Sequence, residues 1–134
     1  MNNLRGRRGF TLIEMIIVFT MIGILVGLAL PQFKNAAKKA RESTLKEDLT
    51  ILRKLIDQYF VDKTKYPASL QALVDEKYLR KIPVDPITGK PDWVEVREEP
   101  TVDDLLEPGY QAGVTEVHSA SELLGMDGTP YNTR

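Results

Sequence analysis

Hydrophobic and polar positions divide this chain into two regimes. From Phe10 to Leu30 it reads F-T-L-I-E-M-I-I-V-F-T-M-I-G-I-L-V-G-L-A-L, with no charge from Met15 to Leu30. As a helix this run would extend about 31 Å, close to the hydrocarbon thickness of a bilayer. Its length predicts a membrane-resident helix rather than the core helix of a soluble domain. Beyond Phe33 the pattern becomes one helical face. Leu45, Leu49, Leu52, Leu55 or Ile56, and Tyr59 recur at helical spacing, with Glu42, Lys46, Asp48, Arg53 and Asp57 at other positions. That stripe is read as the core face of a folded domain. Between the two regimes, K-N-A-A-K-K-A-R-E-S-T is small and charged and is expected outside the globular body. Pro31 follows the apolar run directly and removes one helical hydrogen bond. Because the periodicity resumes at once, Pro31 predicts a kink and not a stop, within a single helix from about Phe10 to about Asp62.

After this helix the signals shorten. Pro67 restricts Tyr66 to an extended conformation, and Ser69 is placed to cap a short helix through Leu73 or Val74. Asp85-Pro86 and Thr88-Gly89 mark turns. The alternation W-V-E-V-R over Trp93–Arg97 predicts a half-buried strand, and Tyr110–Val117 is a second candidate. Two or three short antiparallel strands on the apolar face of the helix make an α+β, two-layer domain.

Charge follows the same division. Through Arg41 there are seven basic residues against one acid, Glu14; from Glu42 onward there are eleven against eighteen acids. A basic, apolar front and an acidic body suit a membrane at one end and water at the other. The bases flank the apolar run instead of interleaving with aromatics, which argues against nucleic acid as a partner. At 134 residues, the chain holds one small domain plus an extension. It has no cysteine and one histidine, His118, which excludes thiol chemistry, disulfides and any two-histidine metal site. His118-Ser119 lacks a nucleophile context such as G-x-S-x-G, so His118 is read as a hydrogen-bonded structural residue. No phosphate-binding G-x-x-x-x-G-K-[ST] is present, so the chain cannot itself be a nucleotide-driven motor. The acidic stretch Glu98 to Glu107 is read as a solvated loop, with a docking surface as the alternative.

The start of the chain is basic, with Arg5, Arg7 and Arg8, but P-Q-F-K after Leu30 offers no small-residue cleavage site, so the apolar run is expected to stay in the mature protein. Glu14 stands out, because a carboxylate inside an apolar span is costly and usually has a partner. It either snorkels at headgroup level or is paired. R-G-R-R-G-F-T-L-I-E-M resembles the type III signal of prepilins, and the resemblance continues through Gly23 and Pro31. It implies removal of a leader, residues 1–9, by a prepilin peptidase between Gly9 and Phe10, with N-methylation of Phe10. Residues 10–32 would then form the transmembrane and filament-core half of the helix, and residues 33–134 the soluble domain. Cleavage leaves an α-amine on Phe10, with an ordinary pKa of about 7.7–8.0, and this supplies the missing partner for Glu14 in a neighbouring subunit. Positive charge flanks both ends of the run, so a cytoplasmic N-terminus is placed by the resemblance alone.

The series Y-P…L…L-V…Y-L…I-P-V-D-P-x-T-G-K-P, from Tyr66 to Pro91, resembles the major pseudopilin family of type II secretion systems. H-S-A-S-E-L-L-G-M-D-G-T-P-Y is similar to the closing segment of that family, whose L-G-x-D-G loop often binds calcium. The candidate ligands here are Asp127 and the backbone oxygen of Leu124, yet T-P-Y-N-T-R after Gly128 contains no further acid. An ordinary Asp-Gly turn is the alternative. The resemblance implies a type IV pilin-like fold, a long N-terminal helix packed on a small antiparallel sheet. It implies a non-enzymatic subunit of a periplasmic pseudopilus, anchored by a single pass in the bacterial inner membrane. Copies of itself, the prepilin peptidase, an inner-membrane assembly platform and minor pseudopilins would be its partners. A surface pilin for adhesion, motility or DNA uptake is the second reading, weakened by the missing cysteines. A membrane-tethered enzyme or binding domain is the third.

Overall fold

The computed structural model describes residues 9–102, 104–106 and 108–134. The basic residues Arg5, Arg7 and Arg8 lie outside the described residues, as do Asp103 and Glu107 of the acidic stretch. The first element, α1, is a 52-residue helix, Leu12–Lys63, which runs through Pro31. Proline has no N–H to give the carbonyl of Gly27, one turn back, so one rung of the helical ladder is missing there. The chain forms two compact units, Met1–Ala37 and Lys38–Arg134.

Within the first unit, the apolar part of α1 has a mean hydropathy of 2.5 and is long enough to cross a membrane; none of it is buried by the chain itself. Phe10, Leu12, Ile13, Phe19, Leu25 and Phe33 are all exposed. Thr20 sits inside this stretch and returns its hydroxyl to the Ile16 carbonyl at 2.7 Å. The polar group is thereby satisfied without leaving the helix.

The second unit builds its core on the predicted stripe. Leu45, Leu49, Leu52, Ile56 and Tyr59 are buried, with Leu55 packed at the margin. Opposite them lie Leu70 and Leu73 of α2, Leu70–Asp75, together with Trp93, Val114, Val117 and Tyr131. Ser69 caps α2 and accepts the Ala72 N–H, as its position predicts. The sheet has two antiparallel strands, β1 (Val94–Arg97) and β2 (Val114–His118), with Glu95 opposite Val117 and an irregularity between Val96 and Arg97. A short 3₁₀ turn at Asp104–Leu106 lies between the two strands, and another at Tyr131–Thr133 follows β2.

The alternation in β1 has a polarity the sequence leaves open. Val94 and Val96 face outward, whereas Trp93 is buried and Glu95 half-buried. Glu95 accepts the Leu70 N–H at 2.8 Å, at the open amide end of α2. Arg97 donates to the carbonyls of Ala68 and Ala112, both at 2.9 Å. Unpaired backbone groups at a helix start and in loops are expensive, which outweighs burying two valines.

The D-P-I-T-G turn is organised by Asp85, which is fully buried. Its carboxylate accepts the Ile87 N–H at 2.7 Å and the Ser119 hydroxyl at 2.5 Å, and Ser119 in turn accepts the Ser121 N–H. Burial of this charge is tolerated because both oxygens are occupied by donors.

Candidate assembly site and the C-terminal loop

At the start of α1, Thr11 and Glu14 form a reciprocal cap. The Thr11 N–H donates to Glu14 Oε2 at 3.3 Å and the Glu14 N–H donates to Thr11 Oγ1 at 3.2 Å. This is a capping box, in which two helix-start amides without intrahelical acceptors each donate to the other residue's side-chain oxygen. The spacing T-x-x-E signals it in the sequence; the composition of the surrounding run draws attention to membrane burial instead. Phe10 and Glu14 are both exposed, and Glu14 makes no ion pair among the described residues. Gly9 precedes the helix in open space, where a Cβ would meet nothing.

In the second unit, the C-terminal loop closes over α1. Glu42 is its hub: Oε1 accepts both the Met126 N–H and the Tyr131 hydroxyl at 2.7 Å. The hydrogen bond from Tyr131 holds the Glu42 carboxyl below the ordinary carboxylate range. Burial, then that same bond, pushes the Tyr131 hydroxyl up to about 12. The loop's own backbone is laddered, with Gly125 N–H to Thr129 O at 2.8 Å and an isolated bridge between Leu124 and Pro130.

The two calcium candidates lie in this loop and meet other partners. The Leu124 carbonyl accepts the Lys38 ammonium at 3.0 Å. Asp127 accepts the Thr129 N–H at 3.0 Å and is ion-paired to Arg134. Calcium requires six to eight oxygens and commonly several carboxylates. Among the described residues, no three acidic or histidine side chains cluster as a metal site would need. The donor set therefore does not fit calcium. Gly128, with φ of +80°, takes the left-handed position of an Asp-Gly turn.

His118, Ser119 and Asp85 could be mistaken for a hydrolytic set, but their hydrogen bonds diverge. His118 Nδ1 lies 2.5 Å from the Arg134 carbonyl, while Ser119 turns to Asp85. In the acidic stretch, Glu98 accepts the Tyr110 hydroxyl and the Gly113 N–H, both at 2.9 Å, and so belongs to the domain's internal bonding.

Comparison with known proteins bears on the first unit and then on the whole chain. A family model described as the prokaryotic N-terminal methylation motif matches residues 4–30. Type II secretion system core protein G of Klebsiella pneumoniae is 31% identical over 95% of this chain and 90% of its own length. The chain belongs to this family. The core protein G of Pseudomonas aeruginosa is 34% identical over 61% of this chain and 69% of its own length. That of Aeromonas hydrophila is 29% identical, covering 92% and 86%. No solved structure matches the chain. The family match covers the methylation motif and the folded domain together, so the likeness is not confined to the apolar run.

Proposed function

We propose that this chain is the structural subunit of a type II secretion pseudopilus, a helical filament that helps move folded exoproteins across the outer membrane. The observation that carries the reading is an apolar half-helix that the chain leaves uncovered, joined to a well-packed soluble domain. Lipid covers such a helix before assembly, and copies of the same helix cover it afterward. Its side chains bring no catalytic cleft to that task; the work of the subunit is association.

Processing would remove residues 1–9 and expose the Phe10 amine. Residues 10–32 would pack in the filament core and residues 33–134 would form the soluble body outside it. In a neighbouring copy, the Phe10 amine would face Glu14. Pairing two charges that are each costly in an apolar bundle favours one axial register over its alternatives. The capping box keeps the Glu14 carboxylate at the helix start, one turn from its own Phe10. The prepilin peptidase, the inner-membrane assembly platform and minor pseudopilins are the partners this route requires. The subunit would wait in the inner membrane with its soluble domain in the periplasm.

Mass spectrometry of the chain purified from cells with an active peptidase tests the reading. A mature N-terminus at Phe10 carrying one methyl group is the expected result; an intact Met1 start would count against it. Electron microscopy after overexpression separates a short pseudopilus from long surface fibres. A processed chain that stays monomeric would remove the proposal.

A further inference from the structure

We infer that the C-terminal loop, residues 123–134, is locked by two cations of this chain, the Lys38 ammonium and the Arg134 guanidinium, and closes without a divalent metal. Five observations converge on this. Leu124 O, a backbone oxygen a metal would need, already accepts Lys38 at 3.0 Å. A dication at ordinary coordination distance, about 2.3–2.6 Å from that oxygen, would sit against the ammonium. Asp127, the loop's lone central carboxylate, is neutralised by Arg134.

Gly125 records the same arrangement in the backbone. A Cβ added there would lie 2.0 Å from Arg134 Nη2, so the guanidinium occupies the space a side chain would fill. Arg134 also lies over the Tyr131 ring, 5.1 Å from its centroid. Glu42, the nearby carboxylate that could have joined a metal site, is committed to the Met126 N–H and the Tyr131 hydroxyl. The loop thus has its positive charge supplied from within, at two points. Each cation is attached to the chain, so closing the loop needs no second component and does not respond to calcium concentration. The inference concerns how the loop folds and is independent of whether the subunit forms filaments.

The test uses the full chain in detergent micelles, with unfolding followed through Trp93, the chain's one tryptophan, which lies in the core. Melting is measured in excess EDTA and in calcium chloride. The expected result is the same midpoint in both. A calcium-dependent loop at a hundredfold excess over Kd would raise the midpoint by on the order of 10 °C, and that result would overturn the inference. Arg134→Met then removes the guanidinium while keeping an extended apolar stem. It is expected to lower the midpoint equally with and without calcium, and to speed hydrogen exchange at the Gly125 and Met126 amides. Arg134→Lys is expected to restore part of the protection. Unchanged exchange in Arg134→Met, or its recovery on adding calcium, would show that the guanidinium is not the lock.

Discussion

Thr11 and Glu14 hold each other across the first turn of α1, each side chain accepting the other's backbone N–H. The carboxylate that stands out in the apolar run is therefore a helix cap as well as the proposed partner of a neighbouring amine. The two roles use different donors and can be separated. Thr11→Ala should cost about 1 kcal/mol in local helix stability, read as faster amide exchange at Glu14, with filament yield little changed. Glu14→Ala removes both roles and should abolish assembly while leaving membrane insertion intact. Filaments at the wild-type level in Glu14→Ala, counted by electron microscopy, would refute the assembly role.

Leu52 and Ile56 are fully buried where α1 meets the rest of the second unit. Leu52→Ala should destabilise that unit by about 3 kcal/mol through lost burial and a residual cavity. Denaturant unfolding with Trp93 fluorescence measures it, and a cost below about 1 kcal/mol would mean the helix is not the floor of the core.

Gly113 is required by contact and not by its φ. A Cβ at this position would lie 2.3 Å from Tyr66 Cβ, and the following Val114 N–H donates to the Pro67 carbonyl at 2.8 Å. Gly113→Ala should push β2 away from that segment and cost about 1–3 kcal/mol, as overpacking typically does. A neutral substitution in the same unfolding assay would contradict the packing described.

The Glu42–Tyr131 pair predicts a pH signature with opposite limbs. Glu42 is depressed by the Tyr131 hydroxyl, so its contribution is present above its ordinary 4.5 and fades as pH falls through the lowered value. Tyr131 is raised from 10.0 to about 12, so its contribution holds below pH 10 and is lost as pH rises toward 12. Tyr131→Phe should cost about 1 kcal/mol at neutral pH and flatten both limbs. The alkaline limb should persist in part, because Tyr110 is likewise pushed up to about 12 by its bond to Glu98. Stability measured against pH for wild type and variant decides it; parallel curves would argue that the pair does not form.

Asp48 carries the reverse sign. Burial first, then the charges of Glu47 and Asp85, raise its carboxyl above the ordinary value. Its charged form is less favourable in the folded state, so it subtracts stability at neutral pH and ceases to do so as pH falls through the raised value. Asp48→Asn should therefore raise the melting temperature at pH 7 and have no such effect at pH 3. A lower melting temperature at pH 7 would mean the carboxylate has a compensating partner.

Much of this molecule is written in short-range patterns. The uncharged stretch from Met15 to Leu30 determines a helix suited to apolar surroundings, and the Leu45–Tyr59 stripe determines which face of its later half is buried. Ser69 determines where α2 begins, because a capping hydroxyl acts on an amide three residues away. Tertiary structure alone decided that β1 turns Trp93 and Glu95 inward and its valines outward, since that depends on amides and carbonyls brought up from other segments. It also decided the partners of Glu42 and Tyr131, 89 residues apart, and of Lys38 and Leu124, 86 residues apart. Periodicity records which side of an element avoids water. It carries no record of which distant donor will meet which acceptor once the chain has closed, and that pairing directs Asp127 to an arginine.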